Sequence, residues 1–308
     1  MKKNILISGG AGFIGTNLYY GLKKDYNITL VDNFSSTKKT WLDKNLVHHL
    51  NIASNKKLNI FLSKKKFHAI IHSAALFANQ KSIDQPLNDL KSNIVGTLNL
   101  LNFCKIKEIK LIYFSSSCVY STYNTDEKIR EPSFDTPYAI SKFTAEQYCS
   151  FYSKYYNLDI ISLRLFNIFG EFDYYGNYRN VIPNFIKNSL ENKNITLFNN
   201  GNDSRDFTYV GDLVKATKIL LNKKKLKGTY NFGFNNPIKI KKLANYIKQK
   251  IKSDSKIVLS KKSRKWDKTR SRKSNSIKLH EVLPNFKNTN FFQALNKTLE
   301  WYKNNKYK

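Results

Sequence analysis

The chain has 308 residues, 41% of them hydrophobic and 14% aromatic, enough apolar material for one large α/β unit or two coupled domains and too much for a chain that stays unfolded. Its charge of +31 comes from 53 Lys and Arg against 22 Asp and Glu, but only seven of the cations are Arg and the lysines run end to end. That pattern excludes a clustered guanidinium face for nucleic acid as the main role, while its positive field would draw in a small anion.

In chain order, short apolar runs at residues 4–8, 28–32, 46–51, 69–73, 111–115 and 159–166 predict buried strands. Amphipathic stretches at 12–24, 86–105 and 137–156 predict the helices between them. The alternation predicts an α/β fold, a Rossmann-type doubly wound parallel sheet with helices on both faces. After residue 166 the pattern loosens into a Tyr-, Gly- and Asn-rich loop at 171–180, a helix at 181–190 and a strand at 229–233. Helices at 240–251 and 291–304 follow, separated by a charge-dense loop at 260–273. The expected division is a nucleotide-binding domain over 1–165, with a return segment near 205–235, and a smaller C-terminal substrate-binding lobe over 166–308.

No run of about 18 apolar residues is present, so no membrane span is expected. Met1-Lys2-Lys3 leads straight into the first strand rather than into a signal core. Cys104, Cys118 and Cys149 are too few for a disulfide framework and lack metal-ligand spacing, so no metal is expected and a reducing cytoplasm is the expected location.

The segment Ser8-Gly-Gly-Ala-Gly-Phe-Ile-Gly15 links the first strand to the first helix. Gly10, Gly12 and Gly15 fit G-x-G-x-x-G, and Gly9, Gly12 and Gly15 fit G-x-x-G-x-x-G. Glycines there permit a tight turn and close approach to a pyrophosphate, which the free N–H groups of the helix start can bind. Asp32 closes the second strand, where a carboxylate accepts from ribose hydroxyls and repels a 2′-phosphate, favouring NAD over NADP.

Tyr138 and Lys142 lie four apart in Pro137-Tyr-Ala-Ile-Ser-Lys142, on one face of a helix. A nearby ammonium, together with an oxidised nicotinamide, is expected to favour the phenolate of Tyr138 and make it a base. The serines of Tyr113-Phe-Ser-Ser-Ser-Cys-Val-Tyr120 leave the carboxyl end of a central strand, where open α/β sheets bind ligands.

Together GGAGFIG, VDNFSS, HSAAL, the stretch from Asn93, FSSSCVY, PYAISK, LRLFNIFG and SRDFTYVGD resemble the extended short-chain dehydrogenase/reductase family. More narrowly they are similar to its NAD-dependent nucleotide-sugar epimerase/dehydratase branch, in the correct order from residue 4 to about 303. The resemblance implies NAD as cofactor, held by Gly9, Gly12, Phe13, Ile14, Gly15, Asp32, Asn33, Asn51, Ile52, Ala74, Ala75, Asn93, Ser115, Tyr138 and Lys142. It implies Tyr138 as acid/base, Lys142 as its electrostatic partner and Ser116 as the assisting hydroxyl, with Ser117 if the register slips by one. Substrate contacts implied are Ser116, Ser117, Tyr138, Asn167, Val181, Arg205 and Arg272. Arg205 matches the arginine that grips a diphosphate; the alternative is a pair with Asp206 or another carboxylate.

Members that dehydrate or decarboxylate sugars carry a Glu just before the Val-Tyr pair, whereas this chain has Ser117 and Cys118 there. The expected reaction is therefore 4-epimerisation of a nucleotide sugar, a UDP-hexose first, with 4-keto reduction as the alternative. An NAD-sensing regulator or a basic scaffold is a more distant alternative, opposed by the intact Tyr-x-x-x-Lys. The resemblance also implies a homodimer through the helices near 86–105 and 137–156.

Overall fold

The structure, a computed structural model, describes residues 1–36, 40–120, 125, 134–260 and 270–305. Seven strands form the main sheet: β1 Lys3–Ser8, β2 Tyr26–Asp32, β3 Val47–His49, β4 Ala69–His72, β5 Lys110–Ser116, β6 Ile160–Leu165 and β7 Gly228–Phe232. Their spatial order is β7-β6-β5-β4-β1-β2-β3, and every pairing is parallel. The order reverses between β1 and β4, so the loops leaving these strands part there and open a crevice at the carboxyl edge. The strand runs are continuously apolar because helices cover both faces.

On one face the helices Phe13–Leu22 and Val210–Asn222 bury Leu18, Leu22, Leu213 and Leu220 against the sheet. On the other, Asn55–Ser63, Gly96–Lys107 and Pro137–Tyr155 bury Leu58, Leu62, Leu100, Cys104, Ala145 and Cys149. A third core, containing Phe169, Ile186, Leu243, Ile247, Leu295 and Leu299, joins the helices Val181–Leu190, Ile240–Ile251 and Phe291–Asn304. Short strands edge this last unit: Pro237–Lys239 and Ser271–Arg272 flank Ser204–Asp206.

Four α-helices among the described residues lie where no element is expected from sequence: Asn55–Ser63, Asn79–Asp84, Val210–Asn222 and Ile277–Val282. Val210–Asn222 repeats apolar residues at helical spacing but follows directly on the charged SRDFTYVGD stretch. In Asn55–Ser63 only Leu58 and Leu62 are buried, too little for a legible stripe. The expected helix 86–105 is three pieces, Pro86–Leu90, a π turn at Lys91–Val95 and Gly96–Lys107. At Gly96 a Cβ would stand 2.8 Å from Ile52, so the helix and the 50–53 loop meet through a missing side chain. The expected strand 46–51 shortens to Val47–His49. Of the expected loop 260–273, residues 261–269 lie outside the described residues. Among the described residues no helix is long and apolar enough to cross a membrane.

Candidate active site

The crevice is a cavity of about 1060 Å³ that runs from the glycine turn after β1 to the Ser204–Asp206 and Ser271–Arg272 strands. Gly9, Gly12, Phe13, Ile14, Gly15, Asp32, Asn33, Asn51, Ile52, Ala74, Ala75 and Ser115 all line it. So do Ser116, Ser117, Tyr138, Lys142, Asn167, Val181, Arg205 and Arg272. Asn93 does not. It is buried behind the wall, where Oδ1 accepts from the Leu76 N–H at 2.8 Å and Nδ2 donates to Asp89 and Ser141. The π turn brings Asn93 there, so the residue read as a cofactor contact instead ties the Pro137–Tyr155 helix to the loop after β4.

The glycine turn decides between the two possible spacings. Gly9, Gly12 and Gly15 face the cavity, while Gly10 packs against Leu30. Gly9 has a φ of +74°, and a Cβ there would meet Ala74 N at 2.7 Å. A Cβ on Gly15 would fall 2.2 Å from the Gly9 carbonyl oxygen. Gly12 caps the Phe13–Leu22 helix in extended conformation with no side-chain acceptor, leaving the first N–H groups for an anion. Asp32 accepts from Ala11 N at 3.0 Å and Phe34 N at 2.8 Å. Burial raises its carboxyl, and these N–H groups draw it back down.

At the other end Thr136 caps the Pro137–Tyr155 helix by accepting from the Ala139 N–H, and it donates to Asn79 Oδ1. Ser82 accepts from the Tyr138 N–H, so the first turn of this helix is fixed from both sides. Tyr138 is 6% exposed, and Ser116, close enough to lower its pKa, lines the cavity with it. The Ser116 hydroxyl accepts from the Cys118 N–H at 3.1 Å, which caps the short turn Ser117–Val119.

Burial works against ionisation of Tyr138. Burial pushes its pKa well up, the Cys118 thiol adds to this, and Ser116 only partly opposes it. Lys142 donates to the Phe114 carbonyl at 2.5 Å and lies over the Tyr113 ring, while burial lowers it to about 7. In a dry site the cost of ionising both groups exceeds their mutual attraction.

Several supporting residues have no sequence signal of their own. Arg164 is fully buried and makes two hydrogen bonds to Glu146, at 2.9 and 2.5 Å, and a third to Tyr120. This clamps the Tyr138 helix to β6. Glu146 lies on the same helix face as Tyr138, two turns on, and its spacing is the one hint the sequence offers. His72 bridges Ser8 and Thr97; Thr97 donates its hydroxyl to the Asn93 carbonyl, so the His72 Nε2–H donates to Thr97 and Nδ1 accepts from Ser8. Burial holds that imidazole neutral, with a pKa near 3.

On the far wall Asn167, with a φ of +35°, donates to the Asp206 carbonyl. The Asp206 carboxylate is fully buried and accepts from Phe234 N, Asn235 N and the N–H and hydroxyl of Ser274. It serves that turn, and the Arg205 guanidinium lines the cavity while donating to the Ser204 and Arg270 carbonyls. Arg272 donates to the Tyr120 carbonyl at 2.8 Å and lies 4.0 Å from Cys118 Sγ. Asp173, Arg179 and Cys118 also line the cavity without having been singled out as site residues from sequence.

The NAD dependent epimerase/dehydratase family model matches residues 5–233. The chain belongs to this family. A putative UDP-glucose 4-epimerase of Methanocaldococcus jannaschii is 31% identical over 80% of this chain and 82% of its own length. A UDP-N-acetyl-alpha-D-glucosaminuronate decarboxylase of Bacillus cytotoxicus is 29% identical, with 98% of each chain covered. Among solved structures, an epimerase of Methanothermobacter thermautotrophicus superposes with a TM-score of 0.90 at 28% identity, covering 99% of this chain and 93% of that one. The family member described here is an enzyme whose cofactor is NAD. The cavity fits that group: a tight turn in which a Cβ at Gly9 or Gly15 would collide with neighbouring backbone, an uncapped helix start, and a buried Ser115 hydroxyl with no partner among the described residues.

Proposed function

We propose that this protein is a nucleotide-sugar 4-epimerase acting on a UDP-hexose. The observation that carries the reading is that Tyr138, Lys142 and Ser116 line one cavity, together with Cys118 where a dehydrating or decarboxylating relative carries a carboxylate. When bound, NAD supplies the hydride acceptor and donor. Tyr138 then takes up and returns the proton of the sugar hydroxyl, with Ser116 sharing the hydrogen bond to that oxygen. Lys142, within the same helix face, stabilises the phenolate while it exists. Arg205 and Arg272 offer two guanidiniums to a diphosphate, and Asn167 offers an amide. Neither Ser117 nor Cys118 can serve as the acid that expels a C6 hydroxyl at neutral pH, which disfavours dehydration.

A 4-keto reductase is the second reading, favoured by one observation: burial keeps the Tyr138 phenol protonated, ready to donate to a carbonyl oxygen. The two separate cleanly. Incubated with UDP-glucose or UDP-N-acetylglucosamine and no added dinucleotide, an epimerase interconverts 4-epimers, read by NMR of the anomeric protons. Tyr138→Phe should lower turnover by about a thousandfold or more with NAD still bound. Full activity in that variant, or strict dependence on added NADH, would remove the epimerase reading.

The same proposal makes the enzyme a homodimer. Phe151 and Tyr155 of the Pro137–Tyr155 helix are 49% and 72% exposed and stack on each other, and Leu87 and Leu90 are exposed on the Pro86–Leu90 helix. A second copy would cover this apolar surface.

A further inference from the structure

We infer that Arg179 and Lys81 form a cationic clasp for a diphosphate at the Asp32 end of the cavity. The inference rests on the NAD reading of that cavity and adds to it a contact which neither the glycine turn nor Asp32 supplies.

Arg179 belongs to the loop 171–180, which crosses from the Ile168–Phe169 strand to the Val181–Leu190 helix. This loop is held rigidly. Asn184, on the helix, accepts from Gly176 N and donates to the carbonyls of Gly176, Arg179 and Asn180. Thus anchored, Arg179 reaches back across the crevice and donates to the Ser36 carbonyl at 2.9 Å. Lys81, on the helix Asn79–Asp84, donates to the neighbouring Ser35 carbonyl at 3.2 Å. Tyr178 completes the bridge by donating to Asp84 at 3.0 Å, so the two elements that carry the cations are tied to each other.

Ser35 and Ser36 follow Asp32 almost directly, and both line the cavity with Arg179 and Gly12. Arg179 lines the cavity itself, while Lys81 reaches the same short loop from just outside the lining, so two cations are gathered on it. Among the described residues neither has a carboxylate within ion-pair distance. Burial and the Arg179 charge both lower the Lys81 pKa, so the pair is held together against repulsion. The carboxylate that does feel Arg179, Asp173, is itself pushed up to about 7 by burial and is only partly charged at neutral pH. A guanidinium offers five N–H donors and an ammonium three, of which the serine carbonyls take one each. A dianionic group bridging the remaining donors would relieve the repulsion and satisfy them, and a fork geometry suits phosphoryl oxygens.

Both NAD and a UDP-sugar carry a diphosphate. The clasp hangs on the loop after Asp32, whereas Arg205 and Arg272 lie on the separate Ser204–Asp206 and Ser271–Arg272 strands. We therefore assign it to the dinucleotide. The test uses protein treated with charcoal to remove bound nucleotide, titrated calorimetrically with NAD, adenosine and UDP. Arg179→Gln and Lys81→Gln should each weaken NAD about tenfold and leave adenosine and UDP unchanged. The NAD affinity of the wild type should also fall more steeply with added salt than that of either variant. Variants that bind NAD as tightly as wild type would dismiss the clasp and leave the NAD reading intact. Wild-type protein that binds no NAD would dismiss both. A loss confined to UDP would give the cations to the sugar nucleotide, and an equal loss for adenosine would mean that the loop had collapsed; either result overturns the assignment.

Discussion

Tyr138 and Lys142 share a helix face, as their spacing requires, yet the pair is not ionised by proximity alone. Lys142 is buried against the Phe114 carbonyl and the Tyr113 ring, and desolvation, not attraction to the phenol, sets its pKa. This has a measurable consequence for stability. Burial lowers Lys142 from an ordinary 10.5 to about 7, so between those values the folded protein binds fewer protons than the unfolded chain. Stability of the unliganded protein should therefore rise with pH across that window, by at most about 1.4 kcal/mol per pH unit. Lys142→Met should flatten the rise and be more stable than wild type near neutral pH, while losing turnover. Urea unfolding of both proteins near pH 7 and near pH 9 measures this; parallel responses in the two would refute it. The spacing of these two residues was readable because a helix repeats locally, but their desolvation depends on residues far away in the chain.

At the scale of elements, the Pro137–Tyr155 helix must present Tyr138 in one position, and its fastening lies two turns further along. The Arg164–Glu146 pair is almost wholly buried and ties this helix to β6. Removing one partner leaves an uncompensated buried charge, so Arg164→Leu should cost about 3–5 kcal/mol in unfolding free energy. Replacing both by apolar residues, Arg164→Met with Glu146→Leu, should cost clearly less. Chemical denaturation of the three proteins would expose an error if the double variant were the least stable. The glycine turn and the Tyr–Lys helix were legible because each is a short segment whose pattern is set by neighbours in sequence. The π turn at Lys91–Val95 was not, because it arises where Asn93 is drawn inward to Asp89, Ser141 and the Leu76 N–H. Asp89 is a neighbour one turn back, but Ser141 and Leu76 come from two other segments, and no local pattern records them.

For the molecule as a whole, the cavity gathers side chains from Gly9 to Arg272, almost the full length of the chain. Much of the +31 charge is spread over the surface, and within this cavity Lys187 and Lys193 pair with Glu191, while Arg205 and Arg272 offer their guanidiniums to a nucleotide diphosphate. The proposed dimer belongs at this scale too. Phe151→Glu places a charge within the exposed aromatic stripe, so light scattering at micromolar concentration should show a dimer for wild type and a monomer for the variant. A monomeric wild type would discard the proposal. The variant should retain NAD, since Phe151 is remote in the helix from Tyr138 and Lys142.

By itself the sequence determined the strand–helix alternation, the dinucleotide turn with Asp32, and the Tyr138, Lys142 and Ser116 constellation. These follow from periodicity, backbone sterics and chemistry confined to a few consecutive residues. Tertiary structure alone decided that Gly9 and not Gly10 faces the cavity, that Asn93 supports the wall from behind, and that burial raises the Tyr138 phenol. It also decided that Arg179 crosses the crevice to Ser36. Each of these depends on which distant segments share a space and how much water they exclude, and desolvation of that kind has no signature in the order of residues.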